Sequence, residues 1–132
     1  MFMRLATLIT LIAAPLAAET RLLMAEQKGC IYCRAWNEEI GPAWPNTPEG
    51  AAAPLMRMDI DDPVPEGIEL DRAVILTPTF ILLEDGQELA RLEGYAGDEF
   101  FWHVIGTMMT ENGIAFGAED PAADAPNDDT DE

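Results

Sequence analysis

The chain has 132 residues with 25 acidic and seven basic side chains, a net charge of −18. That balance excludes nucleic acid and anionic membrane surfaces as natural partners, and it favours solubility or a basic partner surface. Its two cysteines stand three positions apart, at Cys30 and Cys33, and no internal repeat is visible.

Residues 1–18 read as a cleavable export signal. Arg4 supplies the positive start, residues 5–14 form an uncharged apolar run, and Pro15-Leu16-Ala17-Ala18 ends it in small residues, with the cut expected after Ala18. The run is well short of the roughly 20 residues a membrane-spanning helix needs, although an uncleaved anchor or a buried first helix stays open as an alternative. Residues 19–117 are long enough for one compact domain and carry 18 acids against six bases. Residues 118–132 hold seven acids, no base and no aromatic residue. Such a segment buries too little surface to offset its ordering entropy, so an acidic disordered tail is expected.

Residues 21–26 (RLLMAE) form an apolar run suited to a buried central strand. Gln27-Lys28-Gly29 turns the chain, residues 30–40 read as a helix, and Gly41-Pro42 stops it. Residues 43–54, with Pro45, Pro48 and Pro54, read as a long loop or a weak short helix. Residues 55–60 alternate, with Met56, Met58 and Ile60 on one side of a strand and Arg57 and Asp59 on the other. A proline-rich turn precedes a short helix expected over residues 68–74. Residues 79–83 (TFILL) read as a buried strand, Asp85-Gly86 as a hairpin turn, and residues 87–92 as the returning strand. Residues 98–110 form an amphipathic helix, with Phe101, Val104, Ile105 and Met108 on one face and Asp98 and Glu99 at the favoured end. Two strands joined by a crossover helix are parallel and right-handed, and the hairpin lies beside them. The class is therefore α/β, with a mixed sheet flanked by helices.

Cys30-Ile31-Tyr32-Cys33 carries the chemistry. A structural bridge closing four residues constrains the unfolded chain by only about 2 kcal/mol, against about 3 for fifteen residues, so the pair suits reaction better than reinforcement. The attacking species in disulfide exchange is the thiolate, which unpaired N–H groups at a helix start favour, and Lys28 adds positive potential. Cys30 is the expected nucleophile, and Cys33, one turn on, the shielded resolver. Zinc needs about four ligands; there is no third cysteine and one histidine, His103, expected in packing or at the surface. Cu(I) held by the two thiolates alone stays open. Trp36 is expected in the core, Tyr32 at a substrate groove, and Trp44 in either place.

The C-x-x-C, Thr77-Pro78 and the strand-hairpin-helix order together resemble the thioredoxin superfamily. The resemblance implies a minimal thioredoxin-like fold, with a mixed four-stranded sheet and without the first strand and helix of full-length members. It implies a redox disulfide between Cys30 and Cys33 and a cis peptide before Pro78 packed beside it. It also implies that the Thr77 backbone pairs with an extended substrate. The sequence is most similar to the small periplasmic proteins called SoxS, encoded with bacterial sulfur-oxidation systems, through EQKGCIYCRAWNEEIGPAWPNT and TPTFILLEDGQELARLEGY. That similarity implies a periplasmic reductase that keeps a cysteine of a sulfur-carrier protein reduced and is recharged by a membrane thiol-transfer protein. No cofactor or metal is expected, and the chain is expected to act as a monomer.

Four positions depart from the thioredoxin pattern. Gly29 stands where thioredoxins have Trp, and Ile31-Tyr32 replaces Gly-Pro. Met24 occupies the place of their buried acid, with Glu26 nearby but of undetermined direction. The tyrosine before the second cysteine is similar to glutaredoxins and disulfide isomerases. A disulfide oxidant for folding proteins is thus an alternative, since potentials in the superfamily run from about −270 to −120 mV.

Overall fold

The structure, a computed structural model, describes residues 18–117. All but the last residue of the expected export signal, and the whole acidic tail, lie outside the described residues. Four strands make one mixed sheet in the order β2-β1-β3-β4: β1 (Thr20–Glu26), β2 (Leu55–Asp59), β3 (Thr79–Glu84) and β4 (Gln87–Glu93). β1 runs parallel to β2 and antiparallel to β3, and β3 and β4 form the hairpin. Asp85 and Gly86 both have positive φ, 50° and 79°, as a two-residue hairpin turn requires. A side chain at Gly86 would also strike the Gly67 carbonyl, 2.0 Å from the Cβ position.

Both long helices, α1 (Ile31–Glu39) and α3 (Asp98–Glu111), bury side chains against one face of the sheet. Leu22, Met24, Phe80 and Leu82 supply the strand side of that core. Trp36 and Phe101 sit between helix and sheet, with ring centroids of Trp36–Phe80 at 5.2 Å and Phe80–Phe101 at 4.9 Å. Trp44 belongs to the same cluster, and its indole N–H donates to the Ala53 carbonyl at 3.1 Å. Residues 43–54 form a 3-10 turn, Trp44–Asn46, and a five-residue helix, α2 (Pro48–Ala52), capped by the Thr47 hydroxyl, which accepts the Gly50 N–H at 3.0 Å.

The opposite face of the sheet corrects one expectation. Residues 68–74 are not helical: Glu69 forms a β-bridge and the chain bends at Asp71 and Arg72. Glu69 makes an isolated parallel bridge with Gln87; its N–H donates to the Gly86 carbonyl (2.8 Å) and its carbonyl accepts the Glu88 N–H (3.2 Å). With those backbone groups engaged by the hairpin turn and β4, no helical turn can use them. The resulting strap lays Ile68, Leu70 and Val74 over the second core, built from Leu23, Ala25, Met58, Ile81 and Leu83.

A bulge in β4 anchors this strap. The register shifts between Leu82 and Leu83, so that Leu82 pairs with Ala90 and Leu83 with Glu88. In a regular strand Glu88 and Arg91, three apart, would point to opposite faces; the extra residue puts both on the strap side. Their side chains are only 2% and 5% exposed and form an ion pair at 2.5 Å. Arg91 also donates to the Arg72 carbonyl at 2.9 Å, and Glu88 accepts the Asp71 N–H at 2.8 Å. Arg72 in turn pairs with Glu93 at 2.9 Å. Burial alone would raise the Glu88 carboxyl, but hydrogen bonds from Arg91 and Asp71 and the charges of Arg91 and Arg72 hold it below the usual carboxylate range.

Arg91→Met strands the buried Glu88 charge and is expected to cost about 3–5 kcal/mol in urea unfolding, most of it recovered in Glu88→Leu/Arg91→Met. An unchanged midpoint in the single variant would refute the clamp. Because the native Glu88 value is lowered, its stabilisation is whole above the ordinary carboxylate value of about 4.3 and is lost as the pH falls below that. The stability gap between wild type and Glu88→Gln should therefore close on acidification.

Candidate active site

β1 delivers the chain to the cysteines. After Glu26 the chain turns in three residues, closed by the Cys30 N–H donating to the Gln27 carbonyl at 3.2 Å. Gly29 takes φ +81°, a left-handed conformation that a tryptophan there would adopt only under strain. Cys30 is then the N-cap of α1, extended at φ −72° and ψ 109°. Its Sγ accepts the Cys33 N–H at 3.1 Å, taking the place usually filled by a capping oxygen.

Cys30 and Cys33 are joined by a disulfide, with Cα atoms 5.3 Å apart. The two ends of the bond differ in surroundings. Cys33 is 4% exposed and part of the core that holds Met24, Trp36 and Phe80, whereas Cys30 is partly exposed and packs on the rim of that core. Ile31 and Tyr32 between them are 60% and 57% exposed.

Strand pairing brings a second element to this end of the sheet. Ala25, one residue before the end of β1, faces Thr79 at the start of β3, which also faces Glu93 near the end of β4. Pro78, immediately before Thr79, is buried, and the Thr77–Pro78 peptide bond is cis. The Pro78 carbonyl accepts the Gly94 N–H at 2.7 Å, and the Thr79 hydroxyl donates to the Leu76 carbonyl at 2.5 Å. A proline at a strand's first position removes no donor that the ladder needs. Thr77 is half-buried, and among the described residues its own N–H and carbonyl have no backbone partner. Ile75 and Leu76 just before it are exposed, and nothing but their apolar character marks them in the sequence.

Beneath the pair, Met24 is fully buried where the resemblance places an acid. Arg57 faces it across β1 and β2. The guanidinium lies 3.6 Å from the Met24 sulfur, pairs with Glu26 at 2.5 Å and donates to the Asn37 Oδ1 at 2.7 Å. Two residues on from Met24, Glu26 belongs to the same face of β1, the α1 face, so its direction is fixed. In the sequence Arg57 is marked only by its place on a strand's polar side. Tyr95, just past β4, donates its hydroxyl to the Glu39 carboxylate on α1. Burial, then that bond and the Glu39 charge, raise its phenol well above the ordinary value. His103 is exposed on α3, and among the described residues no group of three or more His, Cys, Asp or Glu side chains gathers at one place.

The arrangement has a disulfide capping a helix, one sulfur at the surface and one in the core, and it performs dithiol–disulfide exchange. The chain is 49% identical to the periplasmic thioredoxin SoxS of Paracoccus pantotrophus, solved in its reduced form, over 71% of this chain and 99% of that one, with a TM-score of 0.70. A thioredoxin of Malassezia sympodialis (18% identity, 68% of this chain and 75% of that one, TM-score 0.47) is more distant. So is thioredoxin-2 of a malaria parasite (20% identity, 79% and 99%, TM-score 0.46). No family model and no curated protein matches the chain. The chain belongs to the thioredoxin superfamily and is a thiol–disulfide oxidoreductase. Within that superfamily it is SoxS-like.

After reduction, iodoacetamide at neutral pH is expected to modify Cys30 at least about tenfold faster than Cys33, because reactivity follows thiolate character and access. Peptide mass mapping over time reads the ratio, and equal rates would contradict the asymmetry seen here.

Proposed function

We propose that this chain is a periplasmic reductase of cysteine disulfides or mixed disulfides on a partner protein, a sulfur carrier of a sulfur-oxidation system, and that a membrane thiol-transfer protein restores its dithiol. Residues 1–18 serve as the export signal, residues 19–117 as the thioredoxin-like domain and residues 118–132 as a solvated acidic tail. The observation that carries the catalytic part is the unequal exposure of the joined sulfurs, Cys30 partly open and Cys33 only 4% exposed. The similarity to a periplasmic thioredoxin supports the compartment and the partner class.

The Cys30 thiolate attacks one sulfur of the partner's disulfide, forming a mixed disulfide and expelling the other sulfur as a thiolate, which takes up a proton. Cys33 gives up its proton and attacks the Cys30 sulfur, releasing the second partner sulfur as a thiol. The partner's disulfide is reduced to two thiols, and the enzyme's dithiol is oxidised to the Cys30–Cys33 disulfide. A dithiol on the donor reverses the enzyme's half. Thr77, whose backbone groups are unengaged, pairs with the partner's extended chain at Pro78. Tyr32, with Ile31, Ile75 and Leu76, supplies exposed apolar contact around it.

Cys33→Ser stops the second step and holds the partner on Cys30. Expressed with its N-terminal segment in a sulfur-oxidising bacterium, this variant should yield one dominant adduct, a sulfur-carrier protein, released by reductant and identified by mass spectrometry. A spread of newly exported folding proteins in its place would overturn the reductase direction in favour of an oxidant.

A further inference from the structure

Among the described residues there are six lysine and arginine side chains, and four of them are engaged. Arg21 pairs with Glu19, Arg57 with Glu26, Arg72 with Glu93 and Arg91 with Glu88. Lys28 and Arg34 are exposed and form no ion pair, although carboxylates outnumber cations threefold in residues 19–117. These two bracket Cys30. Lys28 lies in the turn before it. Arg34 lies four residues after it, one helical turn along α1, with its N–H donating to the Cys30 carbonyl at 3.2 Å. Between them the first turn of α1 exposes Ile31 and Tyr32.

The neighbouring carboxylates are mostly occupied. Glu26 is held by Arg57, Asp61 accepts from the Gln27 amide at 3.3 Å, and Glu39 accepts from the Tyr95 hydroxyl. Glu38, one turn past Arg34, makes no bond to it. The cations that flank Cys30 along the chain are thus available to a visitor.

We propose that this face takes an extended, cysteine-bearing segment of the partner protein with carboxylates next to its reacting cysteine. Lys28 and Arg34 meet those carboxylates, while Ile31 and Tyr32 cover the adjoining apolar part. The proposal deepens the oxidoreductase assignment above and rests on it. It also opposes what the net charge predicts. A chain of −18 should favour basic peptides through its overall field. That field is screened beyond about 8 Å at physiological salt, whereas direct contacts of Lys28 and Arg34 with a bound segment lie well inside that length.

The test uses the reduced full chain and three disulfide-linked peptide dimers that differ only in the residues flanking cysteine: Asp, Asn or Lys. Oxidation of the Cys30–Cys33 dithiol is quenched with acid and counted by alkylation mass, and each rate is divided by that of dithiothreitol with the same peptide. The normalised Asp-to-Asn ratio is expected to be about fivefold at low salt, from two contacts of ordinary surface strength. It should fall to about one or below in Lys28→Glu/Arg34→Glu, with the Lys peptide gaining. Arg21→Glu, at the other end of β1, should leave the ratio unchanged. A wild-type preference for the Lys peptide, or the same ratio in the double variant, would overturn the docking assignment. If none of the peptides is reduced, including the uncharged one, the peptide-disulfide reductase assignment itself fails and takes this proposal with it.

Discussion

The antiparallel pairing of β1 with β3, in which Ala25 faces Thr79, sets the geometry of the working end. β1 is central, so its last residue lies inside the sheet, and the cysteine turn that follows starts from a fixed point. The same pairing puts the beginning of β3 beside the end of β1, which places Pro78 and Thr77 at that end. Glu93 faces Thr79 from the other side and brings the end of β4 there too. A slip of one residue in this register would exchange the two faces of β3 and bury its wrong side chains.

The two faces of the sheet hold this end by different forces. On the helix face, Cys33 is shielded because it is one member of a core of Trp36, Phe80, Phe101 and their neighbours. That hold is apolar and largely insensitive to salt. On the opposite face a strap replaces a helix, and it is pinned by a buried ion pair whose hydrogen bonds reach the strap's backbone. The strap runs on into Ile75, Leu76 and Thr77. A directional charged clamp therefore positions the element that precedes Pro78, while dispersion and burial position the shielded sulfur of Cys33.

The departures from the thioredoxin pattern have local physical causes. Gly29 stands before the first cysteine in a turn with positive φ, which suits glycine and strains a bulky residue. With Met24 in the place of an acid, Arg57 finds no carboxylate directly across the strands. It turns to Glu26 and Asn37 instead, tying β2 to the end of β1 and to α1. The charge of that corner is kept, two residues nearer the surface, with Glu26 side-chain exposure at 30%.

Much was legible in the sequence because it is written in local spacing. The strands at residues 21–26, 55–60, 79–83 and 87–92 and both long helices appear within a residue or two of their observed ends. Asp85-Gly86 is a turn because its chemistry demands one, and the burial of the apolar stripe through Phe101, Ile105 and Met108 follows from the helical period. The cysteine pair is legible as a reactive site from its spacing together with its place at a helix start and the lack of further metal ligands. The strap over residues 68–74 departs from the expected helix because its backbone partners lie in the hairpin turn and β4, some eighteen positions away, and no local signal reports them. The clamp was invisible for a related reason, since a bulge turns Glu88 and Arg91 to one face and alternation would have separated them. The sequence by itself determined which residues carry the chemistry and which segments become helix or strand. Only the tertiary structure decided which core residues shield Cys33, which way Glu26 turns and which two cations are left without an ion pair around Cys30, because long-range pairing determines what each side chain has within reach.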